Sequence, residues 1–413
     1  MAEEKQPLNA SIVKAGDGPQ DAVALGDDIY MSRCVSNLYR VVTPEGDVLI
    51  NTGISFNAEE NHRRLSAVSS NRIQKIIFTQ SHEDHIGGWH LFNAPGVETI
   101  AHADYSHVRG YFGGLRPTMA RRSRRLWSRD QTKMVEARPD PVPTTTFIDS
   151  HRFELGGRRF ELYSVRGGET LDSLIVWMPQ GRTVFTGNLT GPLFGHVPNL
   201  YTVRGDKIRY VQWYLDGLQR VLDLDAEVLI TGHGDPVRGA AEIRRHLSRL
   251  RDATEYVKQR TWEGMNAGVD LFTLMASVSL PPDLAIGQGH GKVPWMVRAI
   301  WEEHLGWFRY ESTTELYHVP PRAVAPDLVE LAGGPDRVLA RSRQHLAAGR
   351  PLEALHLAET VLAAAPGSAV GLAAKLAATE YLLAHCTREN FSETRWLEAE
   401  GRALKAAIAQ AGT

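Results

Sequence analysis

Two imidazoles, two carboxylates and a carboxamide lie within six consecutive residues of this chain, from Gln80 to His85. His82 and His85 are three residues apart, and Asp84 lies between them. Side chains at this spacing on a loop can point into one or two metal sites, and zinc accepts imidazole and carboxylate ligands together. The segment therefore predicts a centre for a divalent cation.

The flanking sequence indicates how such a centre would be positioned. The apolar run over residues 73–78 predicts a buried strand that ends just before the polar segment. A Gly pair, Gly87 and Gly88, and an apolar segment over residues 89–92 follow, as expected for a loop that leads into a helix. Loops that follow a rigid strand are a frequent location for catalytic groups. The remaining elements would have to bring further ligands to this loop.

Composition limits the classes of protein to consider. The 413 residues carry a formal net charge of -2, which argues against a nucleic-acid-binding protein driven by bulk charge. The two cysteines, Cys34 and Cys386, lie far apart, which disfavours both a disulfide framework and a thiolate zinc site. A metal centre would therefore use His, Asp, Glu or Gln side chains.

Neither a targeting signal nor a membrane span is predicted. The first residues contain no apolar stretch of the kind found in signal peptides. No run of the sequence reaches the roughly 18 apolar residues that a membrane span requires. These features favour a cytoplasmic enzyme.

Strand-like segments in two groups, each followed by helical segments, predict a layered α/β architecture. Predicted strands cover residues 34–42, 48–51, 73–78, 98–101, 142–148, 159–165, 173–178, 183–186 and 228–231. Predicted helices cover residues 58–68, 208–222, 240–266, 271–278 and 293–308.

Strand signals stop after Gly239, so we place a domain boundary there, with an α/β domain over residues 1–239 and a helical domain over residues 240–413. Residues 103–138 form an arginine-rich insertion. It could be a solvated helix face, or a lid over the site whose arginines attract an anionic substrate.

The polar segment resembles the His-x-His-x-Asp-His-x-Gly-Gly signature of the metallo-β-lactamase fold. Four further segments resemble that fold in the same order: residues 48–53 (VLINTG), 167–170 (GGET), 185–188 (FTGN) and 231–234 (TGHG). Five ordered matches are more specific than any one of them. The resemblance implies an α/β fold in which two sheets lie between helices, the αββα sandwich.

Two features narrow the resemblance to the alkylsulfatase branch. Glu169, followed by residues 199–209 (NLYTVRGDKIR), is similar to that branch. Residues 298–302 (RAIWE) and 306–308 (GWF) resemble its helical dimerisation domain. The resemblance implies that residues 1–239 are the catalytic domain, that residues 240–413 form an all-α dimerisation domain, and that the chain is a homodimer.

Carried over residue by residue, the resemblance implies two neighbouring metal sites and a sulfate-binding wall. The first metal site would use Gln80, His82 and Glu169, and the second Asp84, His85 and His233. Asn188 stands where the family has a bridging acid, and Asp84 would also orient the attacking hydroxide. The substrate-binding residues would be Asn199, Arg204 and Arg209, since guanidinium groups suit an oxyanion.

The chain departs from the family at three positions around this site. Gln80 replaces a histidine, Asn188 replaces the bridging acid, and Asn51 replaces an acid behind the site. Asp84 and Glu169 then remain as the anionic ligands, which weakens the binding of two cations. Whether one ion binds or two is left open, as is its identity among zinc, iron and manganese.

The function that the resemblance implies is a metal-dependent hydrolase in which a metal-bound hydroxide attacks an alkyl sulfate-like ester. Alternatives stay open because a fold does not fix chemistry. The substrate could have drifted to a lactone, a β-lactam or another small ester, or the metal could carry redox chemistry. A dimeric binding scaffold without catalysis is the non-enzyme alternative.

Overall fold

The structure is a computed structural model that describes residues 21–127 and 140–411. It divides into two compact units. The described residues of the first unit are 21–121 and 140–304, and those of the second are 122–127 and 305–411. The predicted lid over residues 103–138 is therefore described in part, and its residues 128–138 lie outside the described residues.

The first unit contains two β-sheets. The strands of the first sheet follow one another in chain order: β1 (Val23–Gly26), β2 (Ile29–Ser32), β3 (Leu38–Val41), β4 (Asp47–Ile50), β5 (Ile73–Ile77), β6 (Glu98–His102) and β7 (Thr145–Phe147). Strands β1 to β4 pair antiparallel, and β4 to β7 pair parallel.

The second sheet has the spatial order β13-β12-β11-β10-β9-β8. Its strands are β8 (Ser150–Leu155), β9 (Arg158–Ser164), β10 (Leu174–Met178), β11 (Thr183–Gly187), β12 (Val228–Thr231) and β13 (Val237–Arg238). Strands β11 and β12 pair parallel, and the other neighbours pair antiparallel.

Helices accompany both sheets. Those between strands of the first sheet are α1 (Ala58–Ser66), α2 (Glu83–Ile86), α3 (Trp89–Phe92), α4 (Tyr105–Gly114) and α5 (Arg116–Trp127). Those that follow β11 are α6 (Val211–Asp223), α7 (Ala240–Asn266), α8 (Leu271–Ser277) and α9 (Val293–Leu305). Short 3-10 turns cover Ser55–Asn57, Pro282–Leu284, Thr313–Leu316 and Pro321–Val324.

The sheets pack face to face through one apolar core. Ile50 of β4 lies in this core with Val176 of β10 and Phe185 of β11. Because side chains alternate along a strand, the neighbouring Leu49 lies on the opposite face. There it packs in a separate cluster with Leu65 of α1. The predicted αββα sandwich is confirmed.

Helices α7 and α9 contribute to the core of the first unit. Leu247 of α7 and Ile300 of α9 share a buried cluster with Leu218 of α6 and Leu229 of β12. The compact unit therefore continues to residue 304, past the predicted boundary at residue 239. A functional division at that boundary stays a prediction.

The second unit is helical in its described part. Its helices are α10 (Ala325–Leu331), α11 (Pro335–Ala347), α12 (Pro351–Ala364), α13 (Ala369–His385) and α14 (Phe391–Ala411). A small core joins α10, α11 and α12 through Val329, Leu339 and Val361. Across the described ranges of both units, helices with the length and apolarity of a membrane span are absent.

The ends of strands from both sheets meet at one edge of the first unit. Thr79 follows β5, and its carbonyl oxygen accepts a hydrogen bond of 2.9 Å from the backbone N–H of Leu174 at the start of β10. The backbone N–H of Gly232, which follows β12, donates to Gly187 O at the end of β11 at 2.8 Å. This edge carries the segments with the predicted metal ligands, since parallel strands present their carboxyl ends together.

Candidate metal centre

Three predicted ligands converge where the strand ends meet. Asp84 and His85 lie on α2, which follows β5, and His233 follows β12. One ligand atom of each residue lies within 4.8 Å of those of the other two. Asp84 Oδ2 is 3.8 Å from His85 Nε2 and 3.7 Å from His233 Nε2. These three donors could hold one divalent cation.

The protonation states in this cluster favour a cation. Burial lowers the pKa of His85 to about 4, so its imidazole is neutral at neutral pH. Burial alone would raise the pKa of Asp84, but His85, His233 and His82 outweigh that effect and lower it. A neutral imidazole and an ionised carboxylate are the forms that bind metal ions.

Asn51 supports His85 from behind the cluster. Asn51 Oδ1 accepts hydrogen bonds from the backbone N–H of Thr79 at 3.0 Å and from its hydroxyl at 3.1 Å. This fixes the amide so that Asn51 Nδ2 faces His85 Nδ1 at 3.0 Å. Ser36 Oγ lies 3.2 Å from the same ring nitrogen. The Nδ1 atom of His85 therefore lies beside the NH2 group of Asn51 and the hydroxyl of Ser36.

The other predicted ligands form a group around Glu169. His82 Nδ1 lies 3.2 Å from Glu169 Oε2 and 3.0 Å from Gln80 Nε2. The amides of Gln80 and Asn188 both donate to that same Glu169 oxygen, Gln80 at 2.8 Å. Burial alone would lower the pKa of His82, but the carboxylates of Glu169 and Asp206 outweigh it and raise the pKa to about 9. The structure thus brings these four predicted ligands together.

Two buried amide oxygens in this group indicate whether it could bind a cation. Neither Gln80 Oε1 nor Asn188 Oδ1 has a hydrogen-bond partner among the described residues. A buried polar atom left unpaired costs about 1–3 kcal/mol, which a cation bound by the oxygen would offset. A Cβ at Gly232 would lie 2.2 Å from that Asn188 oxygen. The side chain of Asn188 can therefore take this position only because residue 232 is a glycine. The two amide oxygens are therefore available to a cation, which would also have to displace the proton that His82 carries at neutral pH.

Two of the three predicted substrate-binding residues, Arg204 and Arg209, lie beside this group. Arg209 is buried, its Nε donates to the backbone oxygen of Glu169 at 3.0 Å, and its guanidinium lies 3.4 Å from the Glu169 carboxylate. Arg204 lies 3.5 Å from the carboxylate of Asp206. Asn199 Oδ1 is buried and has no hydrogen-bond partner within residues 21–127 and 140–411. Both guanidinium groups already face a carboxylate, and their contact with a substrate stays a prediction.

Sequence reasoning missed two ionisable residues at the site. Asp206 has 2% of its side chain exposed and lies against His82. His290 interacts electrostatically with Glu169 and Arg209, and burial lowers its pKa to about 3. Asp206 falls between two arginines in the segment over residues 199–209, and that position is the signal that could have found it. No comparable signal marks His290 in the sequence.

The described start of the arginine-rich insertion lies next to His82. The ring of Phe112 on α4 meets the His82 ring edge to face, with centroids 5.5 Å apart. The hydroxyl of Tyr111 donates a hydrogen bond of 3.0 Å to Asp206. These contacts place α4 against the site. A lid function for the whole insertion stays a prediction.

Two family models match the chain. The metallo-beta-lactamase superfamily matches over residues 31–233. The alkyl sulfatase dimerisation family matches over residues 273–398. The first match contains every predicted metal ligand, and the second covers much of the predicted helical domain.

Two proteins named as sulfatases are similar in sequence to much of this chain. The chain is 28% identical over 333 residues to a linear primary-alkylsulfatase of Pseudomonas sp., which covers 72% of this chain and 61% of that protein. It is 25% identical over 356 residues to alkyl/aryl-sulfatase BDS1 of Saccharomyces cerevisiae, covering 76% of this chain and 53% of that protein. The chain thus spans less than two thirds of the length of either relative.

A solved structure has the same fold. The stereoselective inverting sec-alkylsulfatase Pisa1 from Pseudomonas sp. superposes with a TM-score of 0.81 at 21% identity, covering 95% of this chain and 65% of that chain. A double mutant of the same enzyme gives a TM-score of 0.82. At this identity the likeness establishes the fold.

Proposed function

Because the chain belongs to the metallo-beta-lactamase superfamily, we propose that it is a metal-dependent hydrolase of alkyl sulfate esters. The observation that carries the proposal is the convergence of Asp84, His85 and His233, whose ligand atoms lie within 4.8 Å of one another. The substrate class is supported by the two curated relatives, both of which are named as sulfatases.

The ion that we propose is zinc, which imidazole and carboxylate donors suit, although iron and manganese accept similar ligands. A bound cation lowers the pKa of a water that it holds and so supplies a nucleophile near neutral pH. We propose that the cluster of Asp84, His85 and His233 fills first. The group around Glu169 would bind a second ion more weakly, because Gln80 and Asn188 contribute amides without charge.

The chain's own residues would orient the reactants. Asp84 would orient the attacking water through its carboxylate, which lies between two imidazoles. Arg209 holds Glu169 in place through its backbone oxygen and its carboxylate. The sulfate group would bind at Arg204, Arg209 and Asn199.

A second candidate function is hydrolysis of an uncharged acyl group: a lactone, another small ester or the cyclic amide of a β-lactam. One observation favours it: both guanidinium groups predicted to hold a sulfate already face carboxylates, Arg204 at 3.5 Å and Arg209 at 3.4 Å. Part of the positive charge available to an anionic substrate is thereby compensated.

Sulfate release from a medium-chain alkyl sulfate, measured before and after chelation, tests the proposal. We expect protein purified without chelator to hold on the order of one equivalent of zinc, iron or manganese. Chelation should abolish sulfate release, and return of the ion should restore it. Sulfate release that survives complete metal removal would contradict the metal role. Hydrolysis of a neutral ester of equal chain length without sulfate release would favour the second candidate.

Exposed aromatic side chains mark the start of the second unit. Trp307, Tyr310 and Tyr317 are 70%, 89% and 68% exposed. The ring centroid of Phe308 lies 5.7 Å from that of Trp307 and 4.8 Å from that of Tyr310. Trp and Tyr are enriched in protein interfaces, and these residues lie in the part matched by the dimerisation family. We propose that a second copy of the chain covers this aromatic patch (Trp307, Phe308, Tyr310 and Tyr317) in a homodimer.

Trp307→Glu should weaken this dimer. Loss of an anchoring tryptophan costs about 2 kcal/mol or more, which is roughly 30-fold in Kd. Light scattering coupled to size exclusion over a dilution series measures the change. Val142→Glu is the matched control, because Val142 is 71% exposed and lies in the first unit. A wild-type chain that is monomeric at every concentration, or a Trp307→Glu dimer of unchanged affinity, would refute the patch as the interface.

A further inference from the structure

A buried carboxylate outside the predicted ligand set contacts the outer nitrogen of His82. Asp206 Oδ2 lies 3.3 Å from His82 Nε2, and 2% of the Asp206 side chain is exposed. The other ring nitrogen, His82 Nδ1, lies 3.2 Å from Glu169. One nitrogen of the ring therefore faces the candidate cation site, and the other lies between the Asp206 carboxylate at 3.3 Å and Arg204 Nη2 at 3.4 Å.

We propose that Asp206 is a positioning residue that accepts a hydrogen bond from His82 Nε2–H and so keeps Nδ1 directed at the cation site beside Glu169. This inference rests on the proposed metal-dependent function. A carboxylate on the outer nitrogen of a ligand histidine fixes its tautomer and orientation and raises its basicity.

Asp206 is itself held in one orientation. Its Oδ1 accepts hydrogen bonds from the Tyr111 hydroxyl at 3.0 Å and from the backbone N–H of Lys207 at 2.7 Å. Its Oδ2 faces His82 and, at 3.5 Å, Arg204. A buried charge persists when it is paired and hydrogen-bonded in this way. Each oxygen thus has separate partners, and Oδ2 is committed to the side of the cation site.

Asp206 also adds a negative charge beside the candidate cation site at Glu169, whose other ligands carry little negative charge. Within the group around Glu169, Gln80 and Asn188 are neutral, and two arginines approach from the side. A cation placed there would meet one carboxylate from the ligands themselves. A second carboxylate, separated from the ion by one imidazole, reduces the local excess of positive charge.

A purely structural role for Asp206 would act through Tyr111, because that bond joins the loop over residues 199–209 to α4. Tyr111→Phe removes this bond but keeps the Asp206 carboxylate and its hydrogen bond from the Lys207 N–H. The pair of variants therefore separates the positioning role from a role in holding the loop.

The test is a titration with Zn²⁺ against a chromophoric chelator, applied to wild type, Asp206→Ala, Asp206→Asn and Tyr111→Phe. We expect Asp206→Ala to weaken the weaker of the two Zn²⁺ binding events by about 10- to 100-fold. Asp206→Asn should lie between it and wild type, because its oxygen still accepts the hydrogen bond without charge. Tyr111→Phe should lose much less Zn²⁺ affinity than Asp206→Ala, because the Lys207 N–H still holds Asp206 Oδ1.

Two results would overturn the inference while leaving the proposed function intact. One is a Zn²⁺ affinity of Asp206→Ala equal to that of wild type, whether the chain binds one ion or two. The other is a loss of Zn²⁺ affinity in Tyr111→Phe as large as that in Asp206→Ala. A wild-type chain that binds no Zn²⁺ would overturn both. Circular dichroism checks that each variant is folded, and Asp206→Asn, which keeps the shape of the side chain, decides the question if the alanine variant is unfolded.

Discussion

Exchange of Asp84 for asparagine should abolish sulfate release. It should also lower the affinity for Zn²⁺. The loss should exceed the factor of about 10 to 100 that follows when a residue that hydrogen-bonds to a ligand is removed. Asp84 is the acid of the three-donor cluster, and its Oδ2 lies 3.8 and 3.7 Å from the two imidazole nitrogens. Asparagine keeps the shape of this side chain but removes the charge that offsets the cation.

Metal content after dialysis and the rate of sulfate release measure this effect. Glu83→Gln is the matched control, because Glu83 is on the same short helix but lies 3.9 Å from Arg109 rather than beside the imidazoles. The control should keep the metal and the activity of wild type. An Asp84→Asn chain that retains both would exclude Asp84 as a ligand.

Asn51→Asp should have the opposite effect and raise Zn²⁺ affinity by about 10- to 100-fold. In wild type, Thr79 fixes the Asn51 amide so that its NH2 group faces His85 Nδ1 at 3.0 Å. An NH2 donor favours the tautomer of His85 whose proton is on Nε2, the nitrogen that faces Asp84 and His233. A carboxylate would instead accept a proton from Nδ1 and leave Nε2 free to bind the cation.

The backbone tolerates this change, because Asn51 has a φ of 60° and aspartate adopts that conformation as asparagine does. Competition for Zn²⁺ against a chelator measures the gain. Asn57→Asp makes the same chemical change just before α1 and should leave the affinity unchanged. Equal or weaker Zn²⁺ binding in Asn51→Asp would show that Asn51 does not control the tautomer of His85.

The strands and helices that position the candidate metal ligands could be predicted because their sequences show clear apolar runs or helical periodicity. The strand predicted over residues 73–78 is Ile73–Ile77, and the helix predicted over residues 240–266 is Ala240–Asn266. The helix predicted to reach residue 308 ends at Leu305, because Gly306 adopts a φ of 72° that ends a helix. The strand Ser150–Leu155 was missed, although its exposed polar residues alternate with half-buried ones in the two-residue period of a strand.

Contacts between distant segments could not be predicted in the same way. The positions of Asp84, His85 and His233 followed from ordered motifs, whose spacing the fold preserves. Asp206 contacts His82, and His290 interacts electrostatically with Glu169. Both lie on loops whose paths depend on packing, and isolated acids and histidines carry no periodic signal. The compact unit extends beyond residue 239 for a related reason: α7 carries an ordinary apolar face, and only tertiary packing shows that this face joins the buried cluster of α6, α9 and the second sheet.

The three-donor cluster also has a thermodynamic meaning. His85 follows a strand of the first sheet and His233 follows a strand of the second, so one cation held by both would cross-link the two halves of the sandwich. An ion that binds the folded chain and not the unfolded one adds its binding free energy to the free energy of unfolding. The folded fraction of this chain would then depend on the concentration of free metal around it.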